Sequence, residues 1–312
     1  MRDQKTYKGI NDKYKYSTSQ LFNFTQDSYL DRTSRPVYAM VFLLPFIVFY
    51  ELGTIFINTD VLDQSRIRVV AFVWLQNMLE YLGTGSRFAW AAPPLAVIAI
   101  LLSLQLVSRK RWYFNIKDIL PMTIECIMLA VPLIVFSLLL SGPAQPQSGI
   151  ANQYSTAQVQ GETILSCSTS AVVDLSSTAE DTNSIIVDGK SLLADIVTGI
   201  GAGIYEELLF RLILICFLML LFQDIFRLSH KNSIVLSVLV SAALFSAHHH
   251  IVFINGQISA SAPFNWTEFG FRIIAGVYFA ILFAIRGFGV TAGTHAFYDI
   301  IATVVNAVFF QQ

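Results

Sequence analysis

The residues able to do chemistry lie inside long apolar runs and form three groups: Glu206-Glu207 with Arg211, the triplet His248-His249-His250, and His295 with Asp299. A charged side chain at membrane depth costs about 2.5 to 3.5 kcal/mol on insertion scales, so each group is a functional hypothesis. Glu207 and Arg211 stand four residues apart with the acid N-terminal, the favourable order for a helical ion pair. Glu206 projects about 100° away on the same helix and is left for chemistry. Gly199, Ala202 and Gly203 precede it on its own face, and their lack of bulk predicts room for water or a peptide backbone. The bland alternative is that these residues only let two helices approach closely. Ala242, Phe245 and His249 share a helical face, whereas His248 and His250 are expected at the interface, titrating freely. His295 and Asp299 share a face in the last run, where a merely structural pair is the competing reading. One carboxylate, two imidazoles and a fourth polar group suit hydrolysis. The acid takes a proton from water, one ring orients that water, and the other donates to the developing oxyanion. Neither a GxSxG elbow nor a phosphate-binding Walker sequence occurs.

The elements that must position these groups are membrane helices. Of 312 residues 54% are hydrophobic and only 13% charged, against about 25% charged in ordinary soluble domains. A net charge of −1 gives no field for nucleic acid, which is excluded as a partner. Cys126, Cys167 and Cys216 have neither disulfide-framework nor metal spacing. Seven runs are long enough to span: 36–58, 88–107, 119–140, 192–222, 234–254, 269–285 and 290–310. The fold class is therefore all-α, a polytopic membrane helical bundle of about seven to eight spans. Between the first two, residues 66–82 place Ile67, Val70, Trp74, Met78 and Tyr81 at helical spacing, predicting an interfacial amphipathic helix. Phe72, Val73, Leu75 and Leu79 widen its apolar face and make a short re-entrant segment the alternative.

Composition divides the chain into a polar tail (1–35) without signal-peptide features, N-terminal membrane helices (36–141), a polar extramembrane insert (142–190), expected to be poorly ordered, and a membrane catalytic core (191–312). Lys and Arg gather in the tail, around Arg109 to Lys117 and at Arg227 and Lys231, which predicts an integral multi-pass protein with a cytoplasmic N-terminus, in the plasma membrane. No internal repeat supports a transporter.

Glu206-Glu207-x-x-x-Arg211, Phe245-x-x-x-His249 and His295-x-x-x-Asp299, in that order on late spans, resemble the CAAX protease and bacteriocin-processing family, also called Abi. The match covers Gly199 to Asp299, and Tyr50-Glu51-Leu-Gly53 looks like a subgroup feature. The resemblance implies an all-helical, metal-independent glutamic intramembrane endopeptidase without cofactor, acting on a peptide or membrane-protein substrate in CAAX-type processing, where the substrate is lipidated, or in leader- or bacteriocin-type processing. It casts Glu206 as the water-activating base with His249 as its partner, and His295 with Asp299 as the oxyanion pair. Glu207 and Arg211 resemble the structural ion pair, supported by Phe245. CAAX-cleaving members carry asparagine where Asp299 stands, so Asp299 either donates when protonated or orients His295.

Two other classes compete: a non-catalytic membrane scaffold held by a polar cluster, and a zinc protease using His249, His295 and a carboxylate, although HExxH is missing. Depth also poses a problem. At about 1.5 Å per residue, Glu206 and His249 fall about 24 and 22 Å from the cytoplasmic ends of their runs, but His295 only about 8 Å from Val290. Either the Gly287-Phe288-Gly289 connection is buried or the fourth run breaks near Gly199 to Gly203.

Overall fold

A computed structural model of the chain describes residues 27–57, 68–83, 91–141, 157–159, 162–165, 184–254, 257–260 and 264–309. Each of the seven apolar runs contains a helix, and the run 234–254 is helical only as far as His248, its last four residues forming a strand. In chain order the helices are α1 (Tyr29–Thr33), α2 (Pro36–Ile57), α3 (Val70–Tyr81), α4 (Ala92–Ser108), α5 (Ile119–Ser141), α6 (Ser184–Glu207), α7 (Ile215–Leu220), α8 (His230–His248), α9 (Trp266–Arg286) and α10 (Phe288–Phe309). π-helical turns at Leu208–Leu214 and Leu221–Ile225 flank α7 and make one continuous rod with α6. Six of the helical runs are long and apolar enough to cross a membrane, and Ala92–Ser108 is a shorter apolar helix of 17 residues. Pro93 and Pro94 open α4, in the first turn where a missing N–H leaves no bond unmade.

Short strands accompany the bundle. β1 (Arg68–Val69) pairs in parallel with β3 (Glu162–Leu165), which pairs antiparallel with β2 (Ala157–Val159); β4 (Ile251–Ile254) and β5 (Gln257–Ala260) form a separate antiparallel pair. The expectation of a poorly ordered insert thus changes at two places: it contains the β2–β3 pair, and its last residues already belong to α6. The N-terminal tail up to residue 26 lies outside the described residues.

α10 is the most buried of the candidate spans and packs on α6, α5, α2 and α9. Lipid therefore meets other helices, and large side chains such as Phe49, Leu52 and Phe56 on α2 and Leu120, Met128 and Leu139 on α5 are exposed. A central helix shielded in this way can carry Thr291, Thr294, His295 and Asp299 without presenting them to hydrocarbon.

Of the two alternatives for the depth conflict the structure favours a buried connection: Phe288 and Gly289 are buried and Gly287 partly so. The α6 rod continues through Gly199 to Gly203 without a break. Gly287 takes φ 76°, and a Cβ there would lie 3.2 Å from the Ser34 carbonyl oxygen, so glycine suits both the turn and the close approach. Arg286 next to it is buried under α1, donating to the Leu30 carbonyl at 3.0 Å, to Thr33 Oγ1 at 2.8 Å and to both oxygens of Glu125. Tyr29 closes over the same carboxylate at 2.7 Å. Residues 29–35, which composition groups with the polar tail, are thus part of the packed bundle.

α3 also departs from expectation. Phe72, Val73 and Leu75 are buried, while Met78 and Tyr81 on the predicted face are exposed. The helix points its wider apolar face, together with Val70, into the protein, where Tyr50 and Tyr205 offer an aromatic surface to Phe72.

Candidate active site

The adjacent acids of α6 turn to different partners. Glu207 is fully buried, with Oε2 3.1 Å from Nε of Arg211. The guanidinium lies 4.1 Å over the Phe245 ring and 5.6 Å from that of Phe279, so aromatic faces supply what hydrogen bonds do not. Both charges are at ion-pair distance, but the N–H directions miss the carboxylate oxygen, leaving the Arg211 donors without a hydrogen-bond partner among the described residues. The π-helical turn that begins after Glu207 displaces the local ladder, and the Phe210 carbonyl accepts from Ser241 Oγ on α8 at 2.7 Å.

Glu206, only 3% exposed, faces the end of α8. Its Oε1 is 3.3 Å from His248 Nε2, and its Oε2 is 3.9 Å from His249 Nε2. His248 is therefore the nearer imidazole, and its burial overturns its placement at the interface. His248 and His250 are both buried. His250 sits among Phe264, Phe269 and Arg272, whose Nη1 lies 3.5 Å from its Nε2. The sequence did carry a signal for His248: it stands three residues after Phe245, and i, i+3 positions are helical neighbours as much as i, i+4 positions are.

Proton accounting defines what the Glu206 pair can do. His248 Nδ1 contacts the Phe245 carbonyl, which only accepts, so Nδ1 carries a hydrogen. Nε2 then meets the carboxyl oxygen either as an imidazolium donor or as a bare nitrogen facing a protonated acid. In both forms the pair holds one exchangeable proton. Phe210 at 4.8 Å and Trp74 of α3 at 5.9 Å wall the His248 ring.

His295 occupies the neighbouring position. Its Nδ1 is 2.7 Å from Glu207 Oε1, and its Nε2 is 3.5 Å from Asp299 Oδ2 one turn along α10. The ring stacks on Phe279 at 4.5 Å with planes 19° apart, which fixes its orientation. Glu207 thus joins Arg211 to His295 as well as forming the expected ion pair. Phe245 touches His249 at 5.2 Å and His295 at 6.0 Å, between the two imidazole groups.

The glycine face does not hold an open wall. A Cβ at Gly199 would lie 2.7 Å from Asp299 Cβ, and one at Gly203 would lie 2.5 Å from the Ala296 nitrogen. Helix α10 fills the space predicted for water or peptide, and the small residues serve the close packing that brings His295 and Asp299 to the acids. Nearby, Tyr205 donates to Glu51 at 3.3 Å, bringing the Tyr50-Glu51 feature of α2 against the residue preceding Glu206.

Glu206, His248 and His249 also offer three ligand atoms within 4.8 Å of one another. The metal-type grouping therefore uses His248 in place of the His295 expected from sequence. Tetrahedral zinc with bonds of about 2.0 to 2.1 Å needs ligand atoms roughly 3.4 Å apart, so these side chains would have to contract around an ion.

Fold and site together define a polytopic helical membrane protein with a buried carboxylate–imidazole centre. Residues 188–301 match the family model of type II CAAX prenyl endopeptidase Rce1-like proteins, a finding in line with the family that the motifs resemble. No curated protein and no solved structure matches the chain. The matched region contains Glu206, Arg211, the three histidines, His295 and Asp299, and it supports a membrane endopeptidase of the CAAX type.

Proposed function

We propose that the chain is a glutamate-dependent intramembrane endopeptidase that cleaves a prenylated CAAX-type substrate. The observation that carries this reading is the buried Glu206 carboxyl held 3.3 Å from His248 and 3.9 Å from His249, beside a third imidazole, His295, fixed between Glu207 and Asp299. In the proposed reaction Glu206 removes a proton from water as the water oxygen attacks the scissile carbonyl carbon. His248 exchanges the shared proton with Glu206, and His249 orients the water. His295, anchored through Nδ1, turns Nε2 or the Asp299 proton toward the oxyanion. Collapse of the tetrahedral intermediate breaks the C–N bond, and Glu206 returns the proton to the leaving amine.

The insert and the Tyr81 end of α3 are assigned to the extracytoplasmic side, the basic loops and N-terminus to the cytoplasm of a plasma-membrane protein, by the asymmetry of Lys and Arg. Residues 191–312 are proposed as the catalytic core, with 36–141 as supporting membrane helices. The test is cleavage of a farnesylated CAAX peptide by the purified chain in liposomes, with products located by mass spectrometry. Release of the last three residues is expected, and an intact peptide would remove the CAAX assignment.

A zinc-assisted hydrolase is the second reading, favoured by the three ligand atoms at Glu206, His248 and His249. Stoichiometric zinc in purified protein, with activity lost on chelation and regained on zinc addition, would replace the glutamate mechanism.

A further inference from the structure

We propose that the outer edge of β4 receives the substrate backbone as an added strand, presenting the scissile bond to Glu206 in extended form. The inference rests on the hydrolytic reading above. A helical substrate keeps its carbonyls in the i to i−4 ladder, out of reach of water, and unwinding it in a membrane leaves backbone donors and acceptors that must be satisfied. A free strand edge satisfies them without regard to side-chain identity.

β4 starts at Ile251, directly after His250 and two residues after His249. With consecutive Cα atoms 3.8 Å apart, its first residue lies within about 8 Å of the His249 Cα. β4 pairs with β5 in the register Ile251↔Ala260, Val252↔Ser259, Phe253↔Ile258 and Ile254↔Gln257, and among the described residues this sheet has no third strand. Bonded and non-bonded pairs alternate in an antiparallel ladder, and Ile254 and Gln257, paired though only three residues apart in sequence, have the separation of a bonded closing pair. Val252 and Ser259 are the next bonded pair. The N–H and C=O groups of Ile251 and Phe253 therefore point to the other side, two residues apart, as an incoming extended chain requires. The edge at β1 is less suited, because the Val69 N–H already faces Tyr50 Oη at 3.5 Å.

The experiment uses the full chain in liposomes and a farnesylated CAAX peptide series, each member carrying one N-methylated amide at successive positions around the cleavage site. Glu206→Gln serves as the blank. The strand model expects kcat/KM to fall about tenfold at every second position, as removal of one hydrogen bond implies, and less than twofold at the positions between. A flat response, or equal loss at every position, overturns it. Phe253→Pro removes one outward N–H while leaving the bonded hairpin pairs, and is expected to lower kcat/KM for the parent peptide about tenfold. An N-methyl group on the substrate residue opposite residue 253 removes a different bond, the one its own N–H makes to the residue-253 carbonyl, and should lower the variant's kcat/KM further. If Phe253→Pro is fully active, the proposal fails. A parent peptide that wild-type protein leaves uncut counts against the hydrolytic reading itself, and the strand proposal falls with it.

Discussion

Replacing His248 and His249 separately by glutamine asks which imidazole serves Glu206. The His248 Nε2 atom is 3.3 Å from the carboxyl oxygen, within hydrogen-bond range, whereas the His249 contact of 3.9 Å is beyond it. A hydrogen bond to a charged group contributes about 1.5 to 3 kcal/mol. At about 1.36 kcal/mol per factor of ten, its loss from the transition state lowers kcat/KM by roughly 10- to 150-fold. Participation in proton transfer extends the effect toward about 10²- to 10⁴-fold. His248→Gln is therefore expected to lower kcat/KM by about 100-fold, and His249→Gln by less than about tenfold. The assay is cleavage of a farnesylated CAAX peptide in liposomes, with unfolding midpoints in mixed micelles as the control for folding. A larger loss in His249→Gln, at equal stability, would refute the proton assignment and restore the pairing read from spacing alone.

Three further outcomes follow from the same geometry. Arg211→Met strands the fully buried Glu207 carboxylate and should destabilise the protein by about 3 to 5 kcal/mol; in reversible micelle unfolding, the double variant Glu207→Gln/Arg211→Met should recover part of that loss. Gly203→Val must displace α10, because even a Cβ would lie 2.5 Å from the Ala296 nitrogen; it should lose both its cooperative melt and its cleavage activity, whereas Gly270→Ala, where nothing lies within 4 Å of an added Cβ, should keep both. Chelation with EDTA or phenanthroline should leave peptide cleavage within about twofold of untreated protein, and zinc-dependent recovery of a lost activity would favour the metal reading.

What the sequence made legible was local or compositional. Apolar length marked the helices, and four-residue spacing placed Glu207 with Arg211 and His295 with Asp299 on common faces, because both relations follow from helix geometry. The histidine triplet was misread because a histidine run at a helix end is commonly interfacial; α8 does end at His248, but contacts from distant elements bury that end, with Glu206 of α6 against His248 and Arg272 of α9 against His250. The glycine face of α6 was legible as slim but not as filled, since the filling comes from α10, nearly a hundred residues later. The buried 287–289 connection needed the same long-range knowledge: Arg286 is tolerable there because Glu125, Thr33 and Leu30 converge on it from two distant helices.

The central claim is that the Glu206 carboxyl is the base that activates water, and Glu206→Gln under single-turnover conditions tests it most directly. The account predicts a fall of at least about 10²-fold in the cleavage step with the unfolding midpoint unchanged. Cleavage at the wild-type rate by a folded Glu206→Gln protein would contradict it.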